Sequence, residues 1–376
     1  MMFGPVENAL REAVAQGYFP GGVIVVARGG EIVFEQAFGF RSLVPEKTAM
    51  QLDTIFDLAS LTKPLATTAA VMLLVRERKL RLDDRATRFF NNFGVFGKTH
   101  VTFRHLLAHC SGLPAWKPYY EQIVKGEKEG RINFVCSRAA KSYVFDQIHR
   151  EKPVNPPGIQ SLYSDLNFMF LGEVVEEISG WTLDRYCQEK IFKPMGLRST
   201  SFIDLTQLRT RRLRPVQEVI APTENCPWRK KVLCGEVHDD NAYAMGGVAG
   251  HSGLFSCAQD IHQILSFLRR CYRGEESSFP APLIQEFLTR DSSVRGSSYA
   301  LGWDTPSPEE SSSGSYFSPR SVGHLGFTGT SIWWDIEKDC HVVFLTNRIH
   351  PSRANDKIKT FRPYIHDLIM KALFHD

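Results

Sequence analysis

Strand signals in this chain lie at its two ends and nowhere between. Val23-Ile24-Val25-Val26-Ala27 and Ile32-Val33-Phe34 are rich in β-branched residues and are separated by Gly29-Gly30, a hairpin pattern. The next such runs are Ser331-Ile332-Trp333-Trp334-Asp335 and His341-Val342-Val343-Phe344-Leu345, joined across the turn Glu337-Lys338-Asp339. Amphipathic periodicity predicts a short helix over 5–16 and a closing helix from Ile358 to Phe374. The economical packing is one antiparallel sheet built from both termini and covered by the terminal helices. The remainder reads as a large, mostly helical insertion, so the expected fold class is α+β.

Within the insertion, Phe168 to Ile178 and Ile261 to Tyr272 have helical periodicity, and Ser179-Gly180 stops the first of them. The segment from Ser60 to Leu80 is apolar on nearly every side up to Val75, which marks a buried helix. Residues 205–240 are basic and proline-containing and read as an extended excursion. The stretch Ser307 to Ser318, rich in Ser, Pro and Glu, reads as an exposed loop. No internal repeat is visible.

Composition excludes several function classes. The 376 residues carry 45 basic and 41 acidic side chains, and an excess of +4 is too small to argue for nucleic acid. The most apolar run, Leu65 to Val75, is about half the roughly 20 residues of a membrane span. The eight cysteines include no C-x-x-C pair, and no signal-peptide pattern is visible at the N-terminus. Reduced thiols and a cytoplasmic location are therefore expected, or a periplasmic one if a signal has been removed. There is no H-E-x-x-H, P-loop or G-x-G-x-x-G, and Gly250-His251-Ser252-Gly253-Leu254 misses the G-x-S-x-G elbow at its last position. His238-Asp239-Asp240 with His251 lack the tight spacing of metal ligands and read as loop residues. No cofactor or metal is called for.

The remaining candidate chemistry begins at Ser60-Leu61-Thr62-Lys63. S-x-x-K places a serine and a lysine one helical turn apart on the same face. At a helix start the serine N–H has no intrahelical partner and can form half of an oxyanion hole. Burial of the lysine would lower its pKa until the amine could take the serine proton. Alone the motif is also satisfied by a serine N-cap with a solvated lysine. Two further segments favour catalysis. Tyr163-Ser164-Asp165 precedes a helix and offers a phenol as proton carrier. His324-Leu325-Gly326-Phe327-Thr328-Gly329 lies beside the C-terminal hairpin, where glycine lets a substrate approach a strand edge.

These segments, with Thr102-Phe103-Arg104-His105-Leu106-Leu107-Ala108-His109-Cys110-Ser111-Gly112-Leu113-Pro114, Ala249-Gly250-His251-Ser252-Gly253-Leu254-Phe255-Ser256 and Leu301-Gly302-Trp303, resemble the serine β-lactamase and penicillin-binding-protein superfamily. The likeness covers nearly the whole chain and is greatest to the class C-like branch of esterases and D,D-peptidases. It implies the β-lactamase/transpeptidase-like form of the α+β class. Residues 1–80 and 290–376 then make a discontinuous domain, 81–289 a mainly helical one, and the active site lies in the cleft between them.

By resemblance, Ser60 is the acyl-enzyme nucleophile, Lys63 its base or proton relay, and Tyr163 the proton donor to the leaving group. His324 takes the place of the K-T-G lysine, with Gly326 behind it, and the N–H groups of Ser60 and Phe327 form the oxyanion hole. His105 and His109 read as structural. Asp165 departs from the usual asparagine and can only accept a hydrogen bond. His324 is at most partly charged at neutral pH. Both departures favour a small ester or amide over a β-lactam-like substrate. A D,D-peptidase or β-lactamase and a catalytically silent sensor on the same fold are the alternatives. The oligomeric state is not specified by the sequence.

Overall fold

A computed structural model of the chain describes residues 2–130, 133–211 and 217–374. Its strands are β1 (Gly21–Arg28), β2 (Glu31–Ser42), β3 (Thr48–Ala49), β4 (Phe56–Asp57), β5 (Ser201–Phe202), β6 (Asn225–Cys226), β7 (Lys231–Val232), β8 (Leu254–Ser256), β9 (Val322–Leu325), β10 (Thr330–Asp335) and β11 (Cys340–Thr346). Six of them form an antiparallel sheet in the order β3-β2-β1-β11-β10-β9. The two ends of the chain meet at its centre, where Val25 pairs with Val343 and Ile24 with Phe344.

The continuous apolar run of β1 is explained by cover on both faces. Val23 and Val25 face a core shared with Ile332, Trp334, Val343 and Leu345, and with Ile261, Ile264 and Leu268 of the helix Ala258–Tyr272. Ile24 and Val26 point the other way, toward Val6 and Leu10 of the helix Gly4–Ala15 and Ile365 and Ile369 of the helix Ile358–Phe374. The first core continues without a break into the helical region, through Leu65, Leu106, Phe168 and Leu171.

Four sequence readings need correction. The expected helix from Ser60 to Leu80 is a 3₁₀ turn (Ala59–Leu61), a π-helical stretch (Lys63–Thr68) and an α-helix (Ala69–Arg76). It ends early because Arg78 adopts a left-handed φ of +57°. Strand structure is also present in the middle of the chain, as a small sheet in the order β4-β8-β5. Its strands are two or three residues long, too short to show a period-2 pattern. The 205–240 excursion contains the helix Leu205–Arg211, a 3₁₀ turn at Gln217–Val219 and the β6–β7 hairpin, while 212–216 lie outside the described residues. In 307–318 only Pro308, Glu309, Glu310 and Ser315 are exposed. Phe317 and Ser318 are buried, and the Ser318 hydroxyl donates to Asp335 Oδ1 at 2.7 Å.

Buried histidines give the fold a pH dependence. Burial pushes His341 down to about 3 and His366 to about 4, and it holds His109 well below the ordinary imidazole range. In the unfolded chain these rings take up a proton near pH 6.5. The unfolded state therefore binds more protons as pH falls below 6.5, and stability is lost in that direction down to the folded pKa values. Each ring contributes at most about 1.4 kcal/mol per pH unit. Denaturant melts at pH 7 and pH 5 are expected to show a lower midpoint at pH 5 with an unchanged m-value; equal midpoints would contradict it.

Candidate active site

Ser60 is presented by a short, tightly tied turn. It follows β4, whose Asp57 is buried and accepts from the N–H groups of Ala59 (2.9 Å) and His238 (2.6 Å). Ala59 has a φ of +46°, a left-handed conformation that costs a non-glycine residue about 1 kcal/mol or more. Thr62 Oγ1 closes the turn by donating to the Ala59 carbonyl at 2.6 Å. The serine is partly exposed at the head of a helical segment that is otherwise buried.

Lys63 is fully buried behind it. Its ammonium donates to Ser60 Oγ at 2.9 Å and to the His251 carbonyl at 3.3 Å, and it lies 2.7 Å from Asp165 Oδ1. Burial by itself lowers the lysine pKa, but the charges and hydrogen bonds of Asp165 and Tyr163 outweigh it, and the net shift is upward. The resting amine is therefore charged. This overturns the expectation that burial alone leaves Lys63 neutral: the carboxylate that replaces the usual asparagine is its ion-pair partner.

Tyr163 stands over the lysine, whose Nζ is 4.8 Å from the ring centroid. Burial pushes the phenol up despite the opposing influence of Lys63 and a hydrogen bond with Ser60, so the resting group is the neutral phenol. The loop that carries it is fixed from below. His109 Nδ1 accepts the Ser164 N–H at 3.0 Å, its carbonyl accepts Leu162 N–H at 2.8 Å, and its ring packs 4.6 Å from that of Tyr163. Ser164 then caps the helix Asp165–Ser179, which starts three residues before the expected Phe168. His109 thus holds the loop that carries Tyr163, and its ring reaches the site. His105 completes a capping box with Thr102 at a helix start.

The third wall is the turn between β9 and β10. Thr328 Oγ1 donates to the Asp57 carbonyl (2.7 Å) and Thr330 Oγ1 to the Leu58 carbonyl (3.1 Å), which ties the turn to the segment that presents Ser60. Glycine at 326 is required by the chain itself. A Cβ there would lie 2.0 Å from Thr330 Oγ1 and 2.5 Å from the Leu58 carbonyl. Among the described residues, neither the Ser60 nor the Phe327 N–H has a backbone acceptor. His324 is buried, and Nδ1 donates to the Leu325 carbonyl at 2.9 Å. Burial, with Lys63 adding to it, pushes His324 down to about 3. It is neutral at pH 7, where the sequence suggested partial charge.

Ser60, Tyr163, Asp165, His324, Gly326 and Phe327 open on one cleft of about 720 Å³, with Lys63 beneath. Trp116 and Phe327, each about half exposed, stand at its mouth. All seven sequence-predicted site residues are therefore brought together.

A family model described as Beta-lactamase matches residues 6–362. This chain belongs to the β-lactamase family. A relative from Escherichia coli (strain K12), named "putative D-alanyl-D-alanine carboxypeptidase", is 32% identical over 93% of this chain and 83% of its own. A relative of the same name from Salmonella agona is 30% identical over 94% and 84%. Among solved structures, EstCE1, "a hydrolase with promiscuous acyltransferase activity", aligns with a TM-score of 0.72 at 21% identity, over 96% of this chain and 98% of that one. An octameric penicillin-binding-protein homologue from Pyrococcus abyssi aligns with a TM-score of 0.71 at 23% identity, over 99% and 77%. The protein is a serine hydrolase of the β-lactamase family, and hydrolases of this kind act on ester, amide or peptide substrates. No helix among the described residues is long and apolar enough to cross a membrane.

The cleft of this β-lactamase-family hydrolase also holds residues that sequence reasoning set aside. His251 Nε2 lies 2.9 Å from Asp239 Oδ1, and His238 Nε2 lies 2.9 Å from Glu224 Oε2 while its ring stacks 5.5 Å from Phe327. His238, Asp239 and His251 lie in loops, as their spacing suggests, and all three line the cleft. The one available signal was the place of His251 inside the Ala249–Ser256 motif. Among the described residues no cluster of His, Cys, Asp and Glu has the arrangement of a metal site. Arg348 and Arg362 also line the cleft, and no motif in the sequence announced them.

Proposed function

We propose that the protein hydrolyses small esters or amides through an acyl-enzyme on Ser60. The observation that carries this is the chain Ser60 Oγ, Lys63 Nζ, Asp165 Oδ1, with separations of 2.9 and 2.7 Å, opening on a cleft of about 720 Å³. As Ser60 Oγ bonds to the substrate carbonyl carbon, its proton passes to Lys63, which releases its own to Asp165. The 2.7 Å contact lets the proton cross directly, and burial disfavours the charge on Lys63. The carbonyl oxygen becomes an oxyanion between the N–H groups of Ser60 and Phe327. Collapse expels the leaving group, which takes a proton from Tyr163. Tyr163 regains it from the attacking water in deacylation, and Ser60 recovers its own.

The electrostatics support an ester or small amide. Asp165 is held by Lys63 and cannot donate to a substrate carbonyl, and His324 is uncharged. Arg353 is engaged by Glu224 and Asp240. The second reading, a D,D-peptidase, is favoured by the name of the relatives and by the guanidinium groups of the cleft. To separate them, the protein is incubated with p-nitrophenyl esters of several lengths, a D-alanyl-D-alanine peptide and a penicillin, and intact mass and product release are followed. Ester turnover with transient acylation is expected. Release of D-alanine at a comparable kcat/KM would transfer the assignment to the peptidase, and persistent penicillin labelling without ester turnover would transfer it to a penicillin-binding role.

We also take residues 1–80 with 290–376, and 81–289, as the two regions flanking the cleft, since both supply its lining. The cytoplasm is the compartment we favour, because all eight cysteines are free thiols. Thiol titration of the denatured, unreduced protein should count eight; a lower count would point to an oxidising compartment.

A further inference from the structure

The buried arginine beneath the β9–β10 turn is a candidate for more than packing. Arg362, on the helix Ile358–Phe374, is 6% exposed and lines the cleft. Its Nη2 donates to the Gly326 carbonyl at 3.2 Å and to the Thr330 carbonyl at 3.0 Å. Gly326 C=O and Phe327 N–H belong to the same peptide group. A cation bonded to that oxygen draws electron density from the amide and makes its N–H a stronger donor. The next carbonyl, Phe327 C=O, is held by Arg348 through Nε at 2.9 Å and Nη2 at 2.6 Å. One guanidinium therefore holds the peptide group that carries the Phe327 N–H, and a second holds the peptide group that follows it.

Arg362 also has no salt-bridge partner among the described residues, and its buried Nε has no acceptor. The group acting on its ionisation, besides burial, is the like charge of Arg348. An uncompensated buried cation is costly, and groups of this kind cluster at functional sites. Here the anion is the transient oxyanion, created on the far side of the peptide group that Arg362 polarises.

We propose that Arg362 is a positioning residue of the oxyanion hole, orienting and polarising the Gly326–Phe327 peptide so that its N–H binds the transition state better than the substrate. This rests on the acyl-enzyme reading of Ser60. The field of Arg362 matters most when charge develops, so its loss should appear in kcat and not in KM.

The test compares Arg362→Met and Arg362→Lys with wild type for ester kcat, ester KM and affinity for an aryl boronic acid, which forms a tetrahedral adduct on serine. Arg362→Met is expected to lower kcat by about 10–100-fold and boronate affinity in parallel, with KM within about threefold. Arg362→Lys, which keeps the charge and a donor, should recover part of both losses. If Arg362→Met does not fold, the ratio of boronate affinity to KM is read from Arg362→Lys and Arg362→Gln, with Gln expected to show the larger fall. Folded variants with wild-type kcat and boronate affinity overturn the proposal, as do variants in which KM and boronate affinity weaken together. A wild type that forms no adduct on Ser60 overturns the acyl-enzyme reading and this inference with it. An adduct-forming wild type with indifferent Arg362 variants overturns the inference alone.

Discussion

Ser60→Ala is expected to lower ester turnover by about 10⁵-fold, to the level supplied by binding and the oxyanion hole alone. The size follows from what is lost: no oxygen remains to bond to the carbonyl carbon, so the two-step path disappears. The fold should tolerate the change. Lys63 keeps its ion pair with Asp165 and its hydrogen bond to the His251 carbonyl, so no buried charge is orphaned. Thermal midpoints of variant and wild type should agree within a few degrees, which separates lost chemistry from lost structure. The direct readout is intact mass after a fluorophosphonate: one adduct on wild type and none on Ser60→Ala. Equal labelling of both would reject Ser60. The residue to examine then is Ser252, which lines the same cleft and whose buried Oγ has no hydrogen-bond partner among the described residues.

The sequence showed a great deal of this because the determinants are local. The sheet was legible because β1 and β11 are buried on both faces and so read as unbroken apolar runs. Ser60 and Lys63 were legible because helical spacing brings residues i and i+3 together whatever hydrogen-bond pattern the helix adopts. Relations between distant segments were not. The charge on Lys63 depends on Asp165, about a hundred residues away, and the sign of its pKa shift is set by a 2.7 Å contact that spacing cannot supply. The neutrality of His324 likewise comes from burial against elements remote in sequence. The short strands of the β4-β8-β5 sheet carry too few residues for periodicity, and they tie the turn before Ser60 to the Ala249–Ser256 motif. Arg348 and Arg362 act on carbonyl groups, which leave no trace in the identity of the residues they hold.

Lys63→Met is expected to lower kcat/KM by about 10³-fold, within the range for loss of a positioned acid–base group. The loss should be smaller than for Ser60→Ala, because the nucleophile and the oxyanion donors remain. The variant leaves Asp165 without its cation, so it is best read beside Asp165→Asn, which separates two roles for the carboxylate. If Asp165 is the final proton acceptor, the active state at neutral pH is the Lys63–Asp165 pair sharing one dissociable proton, and the acid limb of kcat/KM belongs to that pair. Replacing the carboxylate forces Lys63 itself to be neutral before Ser60 can react. The acid limb then moves to higher pH, activity at pH 7 falls by about 10–100-fold, and alkaline pH restores it. If Asp165 merely holds Lys63 charged, its removal takes away the larger of the two influences, Asp165 and Tyr163, that raise the lysine pKa, while burial, which lowers it, stays. The acid limb then moves to lower pH and activity at pH 7 rises. The direction of that shift, measured on a variant that still forms the Ser60 adduct, decides whether the proton ends on the carboxylate or stops at the amine.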